Sequence, residues 1–96
     1  MAAYLIFEIE ITDRDKFAEY VKEAKPTLDR AGAKILAIAD NPDVIEGDWA
    51  PPRVVLIEFD SVAKATDWMN SDDYAPAKPL RHASANTNLV VVPGLG

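Results

Sequence analysis

Two carboxylates, Glu8 and Glu58, and an aromatic loop that ends in Arg53 are the groups of this 96-residue sequence whose types and spacing could do chemistry. The glutamates close two similar runs, Tyr4-Leu5-Ile6-Phe7-Glu8 and Val54-Val55-Leu56-Ile57-Glu58. Paired in parallel with the register of that similarity, the two carboxylates would lie side by side, and their repulsion would raise at least one pKa. Such a pair can transfer a proton or hold a cation. The plainer reading is the favoured one: both residues sit at strand ends, reach water or a partner's arginine, and only bound an apolar surface.

The second group is Glu46-Gly47-Asp48-Trp49-Ala50-Pro51-Pro52-Arg53. Pro51 and Pro52 fix two φ angles and push their predecessors towards extended backbone, so the loop is stiffer than its length suggests. A Trp held this way is a candidate pocket wall, and Arg53 beside it offers an anion-binding fork. Tyr4 would add a second aromatic wall. The equally weighted alternative has Trp49 plugging one end of a dimer interface while Arg53 pairs with Glu46 or Asp48. Arg53 and Glu58 are about 16 Å apart along one strand at ~3.3 Å per residue, too far to share a small ligand within one protomer. His82 is the third candidate for proton transfer, but a lone histidine without His-Glu-x-x-His spacing is a poor metal signal. A position near a helix C-terminus, where an imidazolium favours the dipole, explains it adequately. Ser61 and Ser71 have no nearby base, and Gly32, Gly47, Gly94 and Gly96 are too scattered to cradle a phosphate. The chain has no cysteine, which removes thiolate zinc, iron–sulfur clusters and thiol nucleophiles. Neither a metal nor a cofactor is expected.

The net charge of −6 comes without a basic stripe, which argues against nucleic acid or an anionic membrane as partner, because both bind through cationic side chains. The first apolar run has no positive residue before it and meets Glu8 too early for a signal peptide or a membrane span, so the cytoplasm is the expected location. Residues 1–96 are expected to form one domain.

Strict alternation from Ala3 to Ile11 predicts a strand with Leu5, Phe7, Ile9 and Ile11 on one face and Tyr4, Ile6, Glu8 and Glu10 on the other. Thr12 or Asp13 caps a helix whose Phe17, Tyr20, Val21, Ala24, Leu28 and Ala31 share a face; Pro26 should bend it and Gly32 end it. A second strand is expected over Ala33 to Ala39, a third over Arg53 to Phe59, a helix from Ser61 through Trp68 and Met69, and a further helical turn from Asp72 or Asp73 through Ala83. A fourth strand covers Asn88 to Val92, and Pro93 to Gly96 are a tail. The correspondence of Tyr4, Ile6 and Glu8 with Val54, Leu56 and Glu58 marks a duplicated split βαβ unit. The expected fold is therefore α+β, a ferredoxin-like βαββαβ with a four-stranded antiparallel sheet, in which the first and third strands are expected as parallel neighbours at the centre.

Both helices of that fold cover one face, and Leu5, Phe7, Ile9, Val55, Ile57 and Phe59 belong beneath them. The opposite face carries Tyr4, Ile6, Val54 and Leu56, and the outer strands add two apolar side chains each under either parity. At about 2 kcal/mol per buried side chain, such a face rarely stays wet. A homodimer with facing sheets, enclosing a partly apolar space, is expected.

The chain resembles the dimeric α+β-barrel superfamily and, within it, the bacterial domain-of-unknown-function family 1330. The resemblance rests on Tyr4, Phe17, Tyr20, Glu46-Gly47-x-Trp49-x-Pro51-x-Arg53, Glu58-Phe59-x-Ser61, Ala65, Trp68, Ser71, Tyr74 and Arg81, and it spans nearly the whole chain. Asp60 stands where a proline is usual and Ala33 where a second glycine is usual. The resemblance implies a dimeric ferredoxin-like fold without an established activity, and adds Arg81 to Tyr4, Trp49 and Arg53 as ligand-binding candidates. Two functions follow as expectations. One is a homodimer binding a small, partly apolar ligand at the sheet face. The other is a cofactor-independent monooxygenase or isomerase like others in the superfamily, an analogy of fold alone. A carboxylate with a raised pKa in a closed pocket would favour the enzyme.

Overall fold

The alternation of Leu5, Phe7 and Ile9 with Tyr4, Ile6 and Glu8 builds a central strand, β1 (Ala3–Ile11), in a computed structural model that describes residues 1–95. Asp13 then caps α1 (Arg14–Arg30), its side chain accepting from the Lys16 N–H at 3.1 Å. Pro26 lies inside this helix without ending it. Gly32 ends it at φ 72°, a conformation open to glycine without a Cβ penalty, and its N–H donates to the Asp29 carbonyl at 3.1 Å. The edge strand β2 (Lys34–Asp40) follows, then β3 (Arg53–Phe59). Ser61 caps α2 (Val62–Met69), accepting from the Lys64 N–H at 3.0 Å. A run of turns leads to α3 (Lys78–Ser84), with Pro79 in its first turn where a missing N–H costs nothing, and β4 (Ala85–Pro93) closes the sheet.

The sheet order is β2-β3-β1-β4, and every neighbouring pair is antiparallel. This is the ferredoxin-like βαββαβ arrangement, with its second helix in two pieces. One expectation is corrected here. β1 and β3 are central neighbours, but they run in opposite directions: the α1 crossover brings β2 back parallel to β1, and the reversal between β2 and β3 then sets β3 against β1. The similarity of the two runs reflects a repeated unit, and it is not a pairing register.

β4 is longer than the span Asn88 to Val92. It pairs with β1 from Ala85 opposite Ile11 to Pro93 opposite Ala3. Asn86 and Thr87 hid its beginning, because polar side chains on an edge strand leave no hydrophobic alternation to read. Gly94 continues the pairing, its N–H donating to the Ala2 carbonyl at 2.8 Å; a Cβ at Gly94 would stand 2.8 Å from that same oxygen. Gly96, the last residue of the expected tail, lies outside the described residues.

Leu5, Phe7, Ile9, Ile57 and Phe59 are buried beneath the helices against Phe17, Tyr20, Leu28, Ala65 and Trp68. Trp68 organises this layer: its ring lies 4.0 Å from that of Tyr74 and 5.6 Å from that of Phe59. Its Nε1–H donates to Thr27 Oγ1 at 2.9 Å, and that hydroxyl donates to the Ala24 carbonyl at 2.6 Å, so the polar atoms that Trp68 and Thr27 bring into the core are satisfied. Among the described residues, no helix is long and apolar enough to cross a membrane.

Candidate functional site

Strand parity decides what the helix-free face presents. Residues directly opposite one another share a face, so Ala37, Leu56, Ile6 and Val90 form one row across all four strands, and Ala39, Val54, Glu8 and Asn88 form the next. Tyr4 and Val92 extend the apolar part towards the other end. A bulge between Ile35 and Ala37 shifts the parity of β2, which keeps Ile35 and Ile38 on the helix side and Ala37 and Ala39 on the open side. Val90 is 57% exposed, so the open face has no cover of its own at this edge.

Towards β2 the loop between β2 and β3 folds over that face. Its base is closed by the Asn41 N–H donating to the Pro52 carbonyl at 2.7 Å, with Asn41 and Gly47 at positive φ. Under it lies a cavity of about 460 Å3 whose walls include Ala37, Ala39, Val44, Ile45, Trp49 and Leu56. Trp49 Nε1–H donates to Glu8 Oε2 at 2.8 Å, and Asn88 Nδ2–H donates to Glu8 Oε1 at 3.0 Å. Both carboxylate oxygens are therefore engaged. The bond from Asn88, and next the bond from Trp49, hold the Glu8 carboxyl below its usual range, outweighing the opposing effect of burial. Glu8 is thus an anionic anchor for the loop and a weak proton acceptor. Trp49 remains 62% exposed while lining the cavity.

The other sequence candidates are dispersed. Glu58 stands opposite Tyr4, and Glu8 opposite Val54, so the expected adjacency of the two glutamates is corrected: they are four residues of strand apart, about 13 Å. The antiparallel direction of β3 is the reason. Arg53 has the parity of Val55 and Ile57 and belongs to the helix side, away from Trp49. Its Nη1 donates to Asp40 Oδ1 at 2.7 Å, its guanidinium carbon lies 5.9 Å from the centre of the Phe17 ring, and neither Glu46 nor Asp48 is its partner. The direct pairing of Asp40 with Arg53 across β2 and β3 brings those charges together.

Arg81, on α3, is buried. Its Nε–H donates to the Tyr74 hydroxyl at 3.2 Å, and that hydroxyl is bonded to Tyr20 at 2.9 Å. Burial first, and then the neighbouring Tyr74, push the Tyr20 hydroxyl well above the usual tyrosine pKa. His82 is exposed, with Nε2 3.4 Å from Arg81 Nη2. Sequence reasoning missed Asn86 and Asn88, which donate to Glu10 and Glu8. Their alternation along the last strand was the available signal, but only the register shows which carboxylates they meet. Among the described residues, no group of three or more metal-ligating side chains is gathered.

The family model described as "Domain of unknown function (DUF1330)" matches residues 2–95. No curated protein matches the chain. Among solved structures, a protein of unknown function from Rhodopseudomonas palustris is similar with a TM-score of 0.82 at 18% identity, covering 99% of this chain and 83% of that one. A dimeric ferredoxin-like protein of unknown function from Jannaschia sp. CCS1 gives 0.68 at 16% identity, covering 98% and 100%. SnoaB, a cofactor-independent oxygenase from Streptomyces nogalater, gives 0.67 at 7% identity, covering 99% and 94%. At these identities the likeness is one of fold.

Proposed function

The chain belongs to the DUF1330 family, and from that premise we propose that it is a homodimeric binding protein whose helix-free sheet faces enclose a small, partly apolar ligand. The observation that carries this reading is the apolar cavity between the open face and the loop of Trp49, with Ile6, Val90 and Val92 continuing the same surface beyond it. A second copy laid on that surface would cover the apolar row and complete the cavity wall. The description of the Jannaschia relative as dimeric supports the assembly.

The chemistry of the cavity favours binding over a cofactor-independent oxygenase or isomerase. Such catalysis needs a base matched to its proton. Glu8, tied to this cavity through Trp49, is held in its anionic form by two hydrogen bonds, which weakens it as a base, and the two carboxylates of the cavity wall, Asp43 and Glu46, lie exposed on the loop. Trp49 and Tyr4 would shape the ligand space, and Glu8 would fix the loop. Native mass spectrometry of the purified protein tests both parts, with the dimer mass and a retained small molecule as the expected result. A monomer at micromolar concentration by light scattering would remove the proposal.

A further inference from the structure

Arg81 is a buried cation without a counter-charge. It is only 4% exposed, yet among the described residues the ion pairs are Arg30 with Asp73 and Arg53 with Asp40, so no carboxylate neutralises it. A guanidinium has five N–H donors. Here the Nε–H is taken by Tyr74, Nη2 lies at a long 3.4 Å from His82 Nε2, and Nη1 has no partner among the described residues. Leaving a buried charge uncompensated is among the more destabilising arrangements in a protein. The Tyr20–Tyr74 pair holds one side of the guanidinium while the other side faces a recess.

That recess, about 640 Å3 and open to solvent, wraps the edge of β4 and is lined by Arg81, His82, Asn86, Thr87, Asn88 and Leu89 among others. Behind its wall, Thr87 Oγ1 is buried and has no hydrogen-bond partner. A guanidinium lacking an anion therefore lines this space, and a hydroxyl lacking an acceptor is set just behind its wall. The surroundings limit the charge of what fits. Glu8 and Glu10 lie just across the strand, held by Asn88 and Asn86 at 3.0 and 2.8 Å, and the chain as a whole carries −6. A dianion would meet that field at greater cost than a monoanion. Leu89 and Ala85 supply an apolar floor.

We infer that this recess is a second binding site, for a small organic monocarboxylate with an apolar body. The carboxylate accepts from the free side of the Arg81 guanidinium and, once the Thr87 side chain turns towards the recess, from its hydroxyl, with the His82 ring at the rim and the apolar body over Leu89. The site is built by α3 and the edge of β4, so it stands whether or not the sheet-face cavity binds anything.

The test is a titration of the full-length protein with benzoate, followed by two-dimensional NMR at the Thr87 and His82 amides and the Arg81 Nε–H. The expected result is a saturable shift at all three with benzoate and none with benzamide, its neutral isostere. Thr87→Val, which a strand accommodates, weakens benzoate about tenfold, the worth of one hydrogen bond to a charged group, and leaves the rest of the spectrum in place. Equal binding of benzamide, an unchanged affinity in Thr87→Val, or no saturable benzoate shift overturns the inference. So does inorganic phosphate binding as tightly as benzoate. If the Arg81 signal instead moves with protein concentration and benzoate fails to reverse it, the carboxylate comes from a second copy of the chain and the inference likewise fails.

Discussion

Trp49 Nε1 sits 2.8 Å from Glu8 Oε2, joining the loop after β2 to the central strand with a single charge-assisted hydrogen bond. The folded-state pKa of Glu8 is depressed below its unfolded value of 4.5. The bonds from Asn88 and, next, from Trp49 therefore contribute stability that is present above that value and is lost as pH falls through the lower folded pKa. Tryptophan fluorescence and its quenching should report release of the loop below pH 4.5, while Glu8→Gln, which cannot ionise, shows no such transition. Identical acid titrations of the two proteins would contradict the role given to Glu8.

The hydroxyl chain beneath α3 is unequal in its two tyrosines. Tyr20→Phe leaves Tyr74 still bonded to Arg81 and should cost about 1 kcal/mol, the net worth of one hydrogen bond. Tyr74→Phe strips a partner from both Tyr20 and a buried guanidinium, and should cost about 3 kcal/mol. Urea unfolding of the two variants checks the order.

Alkaline stability follows from the same pair. The Tyr20 pKa is raised on folding, so its contribution is complete below the unfolded value of 10.0 and declines as pH rises above it. Thermal unfolding of the wild type should lose stability across that range more steeply than Tyr20→Phe, in which one burdened hydroxyl is gone. Parallel curves would count against this.

Charge placed in the middle row of the open face should separate the proposed dimer without unfolding the protomer, since that face is not the core beneath the helices. Leu56→Lys or Val90→Glu is expected to give a folded monomer by light scattering and circular dichroism. A variant that remains dimeric shows that the sheets do not face each other.

Trp68 acts through both its ring and its N–H. Trp68→Phe keeps most of the contact with Tyr74 and Phe59 but gives up the donor to Thr27, costing about 1 kcal/mol. Trp68→Ala also opens a cavity and should cost about 4 kcal/mol. Denaturant midpoints distinguish the two.

The one-dimensional pattern determined the element order, the sides of β1 and β3 that meet the helices, a first helix capped at Thr12 or Asp13 and a second at Ser61, and the apolar character of the face opposite, because alternation and capping are local properties that a chain carries in its residue types. It also carried the apolar excess on which the proposal of a second copy rests. Direction and register were decided only by the tertiary structure. Whether Glu8 meets Glu58 or Val54 depends on how the α1 crossover and the turn after β2 orient β3, and a repeat in the sequence is silent on that. The separation of Arg53 from Trp49 has the same origin. They are near in sequence, but the β3 pleat turns one towards Phe17 and Asp40 while the loop carries the other across the sheet to Glu8. Asn88 gained its role from the pairing of an edge strand with β1, and only that register could reveal that Asn88, and not Thr87, meets the Glu8 carboxylate.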